Sequence, residues 1–156
     1  MHNTIYCLVE TKNEDWEDCN FSSCDFYEDA FILANTDYVS DFNDPEEAVT
    51  DVMDNLPDYA ERTGYQTFSY DTDRLTELFH EKYFTFQAKA RCLSANEFVR
   101  GGLDLFRLKN CISDTFGPIV YCEGCGTMWR DDFYRLILNG DVSPDLALVS
   151  CIDYHY

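Results

Sequence analysis

The segment from Asp37 to Glu61 places the tightest limits on what this chain can fold into. Asp44 can cap a helix, Pro45 suits the first helical position, and Glu47 occupies the capping-box position three residues after the cap. Apolar residues then follow at i, i+3, i+4 and i+7: Val49, Val52, Met53 and Leu56. This spacing predicts an amphipathic helix that buries one face against a core.

The same segment carries a stripe of carboxylates, spaced 4, 3, 4 and 3 residues apart: Glu47, Asp51, Asp54, Asp58 and Glu61. On one continuous helix over 44–61 these would share a side, although Pro57 is expected to end or kink the helix and Asp58–Thr63 to form a further turn. The stripe is either the solvated face of an acidic protein or a recognition surface. A helical acid every three to four residues gives one charge per roughly 5 Å. Duplex DNA carries one per about 1.7 Å, so imitation of a nucleic acid needs further acids beside the stripe.

Composition predicts one folded domain over 1–156 with a very uneven charge. The chain is 46% hydrophobic and 16% aromatic, which argues against disorder despite a net charge of −19. Residues 1–78 hold 20 acids against 3 bases, a net of −17, whereas residues 79–156 hold 10 acids against 8 bases, a net of −2. Such an acidic N-terminal half disfavours direct binding to DNA, RNA or an anionic membrane.

The first acidic cluster along the chain lies in Glu10–Asp25, which is predicted to be a polar loop. Four acids, Glu14, Asp15, Glu17 and Asp18, surround Trp16, which either folds back onto the core or acts as an exposed interface anchor. In size, aromatic content and charge the chain resembles the acidic nucleic-acid mimics of phages and mobile elements, such as antirestriction and anti-CRISPR inhibitors. The resemblance covers no motif. It implies a non-enzymatic inhibitor whose partner is a basic nucleic-acid-binding protein or a nuclease, with the two acidic clusters as the binding residues.

Two cysteines offer an alternative function. The chain has no secretory signal and no long uncharged apolar run, so we expect reduced thiols in a cytoplasm and no membrane association. Cys122 and Cys125, followed by Gly126, resemble one knuckle of a zinc ribbon and predict a zinc-stabilised adaptor. Cys19 and Cys24 are a possible second pair of ligands, at a wider spacing than most knuckles use.

A CxxC between a strand and a helix is also the setting of a thioredoxin-like pair, so a thiol oxidoreductase is a further, weaker alternative. Only 31 residues follow Cys125, and the predicted helix begins after the motif. No phosphate loop, zinc-protease motif or nucleophile elbow is present, so the sequence predicts no catalytic residue and no cofactor other than zinc.

Strands and helices alternate along the chain. Tyr83–Cys92 alternates apolar and polar residues and predicts a strand with one solvated face. Further strands are predicted at Thr4–Val9, Ala30–Ala34, Tyr38–Phe42, Tyr65–Tyr70, Ile119–Tyr121 and Leu146–Tyr154. Helices are predicted to start at Asp71 or Thr72 and at Ser94, where Glu97 completes a capping box, and to span Leu103–Lys109 and Thr127–Asn139. Gly101 and Gly140 are predicted to stop the second and the last of these helices. The pattern favours an α+β domain with three to five helices and a mostly antiparallel or mixed sheet.

The C-terminal half also holds bases that could meet the acids of another copy. They are Lys82, Lys89, Arg91, Arg100, Arg107 and Lys109. A head-to-tail homo-oligomer is therefore a further possible assembly.

Overall fold

One mixed sheet of seven strands organises the molecule, in a computed structural model that describes residues 2–112 and 117–156. The strand order is β3-β4-β7-β1-β5-β6, and β2 also pairs with β7. Only the β1–β5 pair is parallel among the described strands. The strands are β1 (His2–Glu10), β2 (Tyr38–Asp41), β3 (Ala60–Arg62), β4 (Thr67–Tyr70), β5 (Ile119–Cys122), β6 (Gly126–Trp129) and β7 (Asp145–His155). The predicted α+β class with a mixed sheet is confirmed.

Six α-helices lie among the described residues, one more than the upper end of the predicted range. They are α1 (Ala30–Asn35), α2 (Pro45–Asp54), α3 (Thr72–Cys92), α4 (Ala95–Arg100), α5 (Leu103–Lys109) and α6 (Arg130–Asn139). Two 3₁₀ helices, Trp16–Asp18 and Ser23–Phe26, interrupt the predicted polar loop. None of the helices in the described chain combines the length and the apolar character that crossing a bilayer requires.

Strand β7 is the centre of the sheet and is buried along most of its length. It pairs with β1 on one edge, and with β4 and then β2 on the other. The register against β1 shifts between Cys7, which faces Ser150, and Leu8, which faces Leu148. This bulge at Val149 changes which face successive side chains meet. Leu146 and Leu148 therefore join one core layer, while Ile152 and Tyr154 join the other.

The two faces of the sheet are covered by different parts of the chain. Helices α2 and α6, with the first turns of α3, cover one face, where Met53, Leu75 and Phe133 are buried against Leu146 and Leu148. Ser23–Phe26 and α1 cover the other face, where Phe26 and Ile32 are buried against the sheet. The acidic N-terminal half therefore contributes buried side chains to both layers.

Tyr83–Cys92 is helical, so the strand predicted there is wrong. These residues are the second half of α3, a helix of 21 residues that begins where predicted, with Asp71 as its cap. None of the residues 83–92 is buried. The alternating apolar side chains are therefore not buried against a sheet. Gln, Lys, Ala and Arg in the run are also good helix formers.

Three smaller predictions are also corrected. Ala30–Ala34 is helical because the Asp29 carboxylate accepts hydrogen bonds from the backbone N–H groups of Phe31 and Ile32, at 2.8 and 2.9 Å. Residues 127–129 belong to β6, and the predicted helix begins only at Arg130. Part of Asp58–Thr63 forms β3, which pairs with β4, instead of a turn.

Candidate functional site

Helix α2 positions the first three acids of the predicted carboxylate stripe. Asp44 caps it as predicted, since its Oδ1 accepts a hydrogen bond from the Glu47 backbone N–H at 3.0 Å. Val49 and Met53 are buried on the core side. Glu47, Asp51 and Asp54 lie at i, i+4 and i+7 and are exposed. The predicted helix with one buried face and one acidic face is confirmed over Pro45–Asp54.

The predicted five-residue stripe is wrong beyond Asp54. The helix ends there because Pro57 has no backbone N–H to donate and also restricts the residue before it. Glu61 lies on β3 instead. Asp58 lines a separate groove beside α3, together with Glu77 and Glu81.

A shallow groove of about 540 Å³ runs along the exposed side of α2. Four carboxylates line it, those of Asp44, Glu47, Asp51 and Asp54, and Phe42 is also part of the lining. Arg62 pairs with Asp54 at 2.8 Å, and this is the one ion pair among the four within the described residues. The groove therefore presents a concentration of negative charge that the fold itself leaves largely uncompensated.

A larger cleft of about 890 Å³ lies in a gap of the sheet. Strands β2 and β4 pair with the same edge of β7, at Ile152–His155 and Asp145–Ala147 respectively, and residues 149–151 line the cleft between them. Asp41, Asp44 and Glu46 line one wall. The start of α2 therefore separates the cleft from the groove and supplies acids to both.

The first acidic cluster leads directly into this cleft. Residues 20–22 line it, and the Ser150 hydroxyl accepts from the Phe21 backbone N–H at 3.0 Å and donates to Asn20 Oδ1 at 2.9 Å. Ser23 is tied to the end of β2 because its N–H donates to Asp41 Oδ1 at 2.7 Å. The acids of the cluster, Glu14, Asp15, Glu17 and Asp18, are all exposed, and Trp16 is half-buried.

A third cavity, of about 240 Å³, lies between α2 and the sheet. Its lining is largely apolar, with polar groups from Tyr6, Asp51 and Arg130. Burial raises the pKa of Tyr6 and also of Tyr134, while the charge of Arg130 opposes the shift, so both hydroxyls stay protonated at neutral pH. Tyr134 also shares a hydrogen bond with Tyr59, with 3.0 Å between the two hydroxyl oxygens.

Sequence reasoning missed several of the residues that line these cavities. Glu46 precedes Glu47 at the helix start, and consecutive helical residues point in different directions. Helical geometry therefore predicts that Glu46 lies on a different side of α2 from the stripe. Asp41, Tyr6 and Arg130 come from separate elements. No spacing in the sequence signals that they lie near α2.

The CxxC forms a hairpin turn between β5 and β6, not a strand-to-helix junction as predicted. Gly124 and Gly126 have φ of +82° and +84°, the left-handed region that favours glycine. Cys122 is buried, and this burial, reinforced by Cys125 and Glu10, raises its pKa to about 12. A redox nucleophile requires the opposite shift.

The cysteines offer limited support for a metal. All eight are free thiols. No group of three or more His, Cys, Asp or Glu residues within 2–112 and 117–156 is arranged to hold a metal ion. Zinc binding at Cys122 and Cys125 stays a prediction.

Neither protein-family models, nor curated proteins, nor solved structures give a match to this chain. Function is therefore inferred from position and charge. We define the acidic face as the exposed carboxylates of the first cluster, the cleft and the groove. Its members are Glu14, Asp15, Glu17, Asp18, Asp41, Asp44, Glu46, Glu47, Asp51 and Asp54.

Proposed function

We propose that this protein is a non-enzymatic binding protein that docks its acidic face on the nucleic-acid-binding surface of a basic partner. The partner would be a nuclease or another nucleic-acid-binding protein, and the effect would be inhibition, as in antirestriction and anti-CRISPR proteins. One observation carries the proposal. Ten exposed carboxylates belong to this face, and within the described chain only Asp54 forms an ion pair.

The number and spacing of the carboxylates support imitation of phosphates. Proteins that bind duplex DNA commonly contact about 6–10 phosphates. The acidic face offers ten carboxylates, and the four along the groove extend from Asp44 to Asp54 over about 15 Å of helix. The helix alone is too dilute to imitate a duplex, so the first cluster and Asp41 would supply the remaining charge.

Rigidity supports the same interpretation. Met53 and Val49 fix α2 on the core, and Asp41 and Ser150 fix the segment that follows the first cluster. A preorganised set of charges loses less conformational entropy on binding than a disordered acidic tail.

The test is affinity for a panel of nucleases and DNA-binding proteins over a salt series, with a reversal variant and a matched control. Glu47→Lys with Asp51→Lys alters the groove, whereas Asp58→Lys with Glu61→Lys makes the same change in net charge away from the stripe on α2. We expect the groove variant to lower affinity about tenfold, equivalent to about 1.4 kcal/mol, and to reduce the salt dependence.

The control variant should bind much as the unmodified protein does. Salt-insensitive binding, or equal losses in both variants, would contradict the proposal. Circular dichroism of both variants checks that each is folded.

A further inference from the structure

A helical arm, defined as residues 83–112, is the least buried part of the described chain. It comprises the second half of α3 with α4 and α5, and none of its residues is buried. It nevertheless carries seven exposed large apolar side chains: Tyr83, Phe84, Phe98, Val99, Leu103, Phe106 and Ile112. The other described residues expose only four. Such a concentration marks an interaction surface, because exposed apolar residues are normally scattered.

The arm is basic, in contrast to the rest of the chain. It holds five bases and two acids, a net charge of +3 within a chain of −19. The bases are Lys89, Arg91, Arg100, Arg107 and Lys109. Only Arg107 forms an ion pair in the described part of the arm, with Asp104 at 3.4 Å. A fitting partner surface would therefore be apolar and acidic.

This chain itself has such a surface. Three of the four exposed large apolar side chains outside the arm lie within residues 27–38: Tyr27, Leu33 and Tyr38, with exposed fractions of 54%, 66% and 49%. We call residues 27–38 the α1 surface. Glu28 and Asp37 are exposed there, and no Lys or Arg occurs from residue 13 to residue 61.

We propose that the arm of one copy docks on the α1 surface of a second copy. Contact between two arms would bring together two surfaces of net charge +3, which repel each other. Contact between two α1 surfaces would likewise bring exposed carboxylates together. Arm against α1 surface pairs opposite charges and covers apolar side chains on both partners. If each copy docks its arm on the other, two identical contacts close a two-fold dimer.

The contact is independent of the proposed function, because the α1 surface and the acidic face share no residue. Self-association can therefore succeed or fail as a proposal whatever the acidic face binds. The first measurement is the mass in solution by sedimentation velocity, at 50 and 500 mM NaCl and several protein concentrations. We expect a concentration-dependent dimer at 50 mM whose dissociation constant rises at 500 mM.

Three variants test the pairing. Val99→Glu with Phe106→Glu gives the arm a charge that the α1 surface repels. Glu28→Lys with Leu33→Lys does the same to the α1 surface. Tyr65→Lys, at an exposed aromatic residue outside both surfaces, is the control. All five side chains are exposed, so each variant should keep its circular dichroism spectrum.

We expect the arm variant and the α1 variant each to be monomeric, the control to dimerise, and an equimolar mixture of the two defective variants to associate again. The mixture restores association because it joins an intact arm to an intact α1 surface. If the α1 variant alone still dimerises, or the mixture stays monomeric, the pairing is wrong.

A monomer at 100 μM in low salt would overturn the proposal. If in addition the unmodified protein bound a fluorescent 20-nucleotide single strand and the arm variant did not, the arm would be assigned to nucleic acid instead.

Discussion

At the scale of single residues, the Lys82–Asp131 ion pair has the most buried carboxylate of any ion pair in the described part of the chain. Asp131 is almost fully buried on α6, and Lys82 reaches it from α3 at the base of the arm. Lys82→Met would leave the carboxylate buried without its cation. We expect the free energy of unfolding to fall by about 3 kcal/mol, measured by urea denaturation.

Lys109→Met, at an exposed position on the arm, is the control and should change stability by less than about 0.5 kcal/mol. Adding Asp131→Leu to Lys82→Met removes the stranded charge and should restore most of the loss. Equal effects of Lys82→Met and Lys109→Met would show that the pair contributes no more than a surface contact.

Cys122 and Cys125 should differ sharply in reactivity. Cys125 is exposed, whereas burial of Cys122 raises its pKa to about 12. Thiolate is the form that reacts with iodoacetamide, so at pH 8.5 we expect Cys125 to be alkylated and Cys122 to be protected until the protein unfolds. Peptide mass spectrometry distinguishes the two. Equal alkylation rates in the folded protein would contradict the structure, and zinc-dependent protection of both would support the adaptor function.

The raised pKa of Cys122 also makes the stability of the fold depend on pH. Burial also raises the pKa of Cys151 to about 12. A thiol with a raised pKa in the folded state contributes stability that is fully present below the ordinary thiol pKa. That contribution is lost as the pH rises towards 12, so the protein should lose stability on the alkaline side.

At the scale of elements, local signals were the reliable ones. The caps at Asp44, Asp71 and Ser94, the Ser94–Glu97 capping box, and the helix stops at Gly101 and Gly140 all appear where the sequence predicts them. Each signal involves residues no more than three positions apart. A cap therefore needs no tertiary context, which is why it can be predicted from the sequence alone.

Predictions that depend on tertiary context were less uniform: five of the seven predicted strands overlap observed strands, whereas Ala30–Ala34 and Tyr83–Cys92 are helical. The alternation in Tyr83–Cys92 indicates a strand only if a sheet edge is available, and in this fold these residues are helical and none of them is buried. The predicted fold class is therefore correct although one of the strands that supports it is a helix. The cleft was unpredictable for a related reason, since it arises because two short strands share one edge of β7.

Thr85 offers a test of the helical assignment, because a helix and a strand at this position predict opposite changes in stability when Thr85 is replaced. It is exposed in the middle of the run for which the sequence pattern predicts a strand. In a helix, Thr85→Ala should stabilise the protein by about 0.5 kcal/mol, because Ala has the better helix propensity. In a strand the same change should destabilise it. Urea denaturation gives the sign, and a loss of stability would contradict the helix.

At the scale of the whole molecule, charge and fold work against each other. The N-terminal half contributes buried side chains to both core layers and also carries most of the acids. Its carboxylates are therefore attached to a packed structure and cannot move apart to reduce their mutual repulsion. Repulsion among the carboxylates should therefore reduce the stability of the folded state at low ionic strength. The screening distance falls from about 30 Å at 10 mM salt to about 8 Å at 150 mM.

Added salt should accordingly raise the melting temperature. Between 10 and 150 mM NaCl at pH 7 we expect a stabilisation of about 1 kcal/mol, which corresponds to a rise of about 3 °C for a chain of this length. The measurement is calorimetry or circular dichroism at a protein concentration low enough to keep the chain monomeric. KCl at equal ionic strength should act like NaCl, because screening does not depend on the identity of the cation. A melting temperature that falls with either salt would mean that ion pairs such as Lys82–Asp131 outweigh the repulsion among the exposed acids.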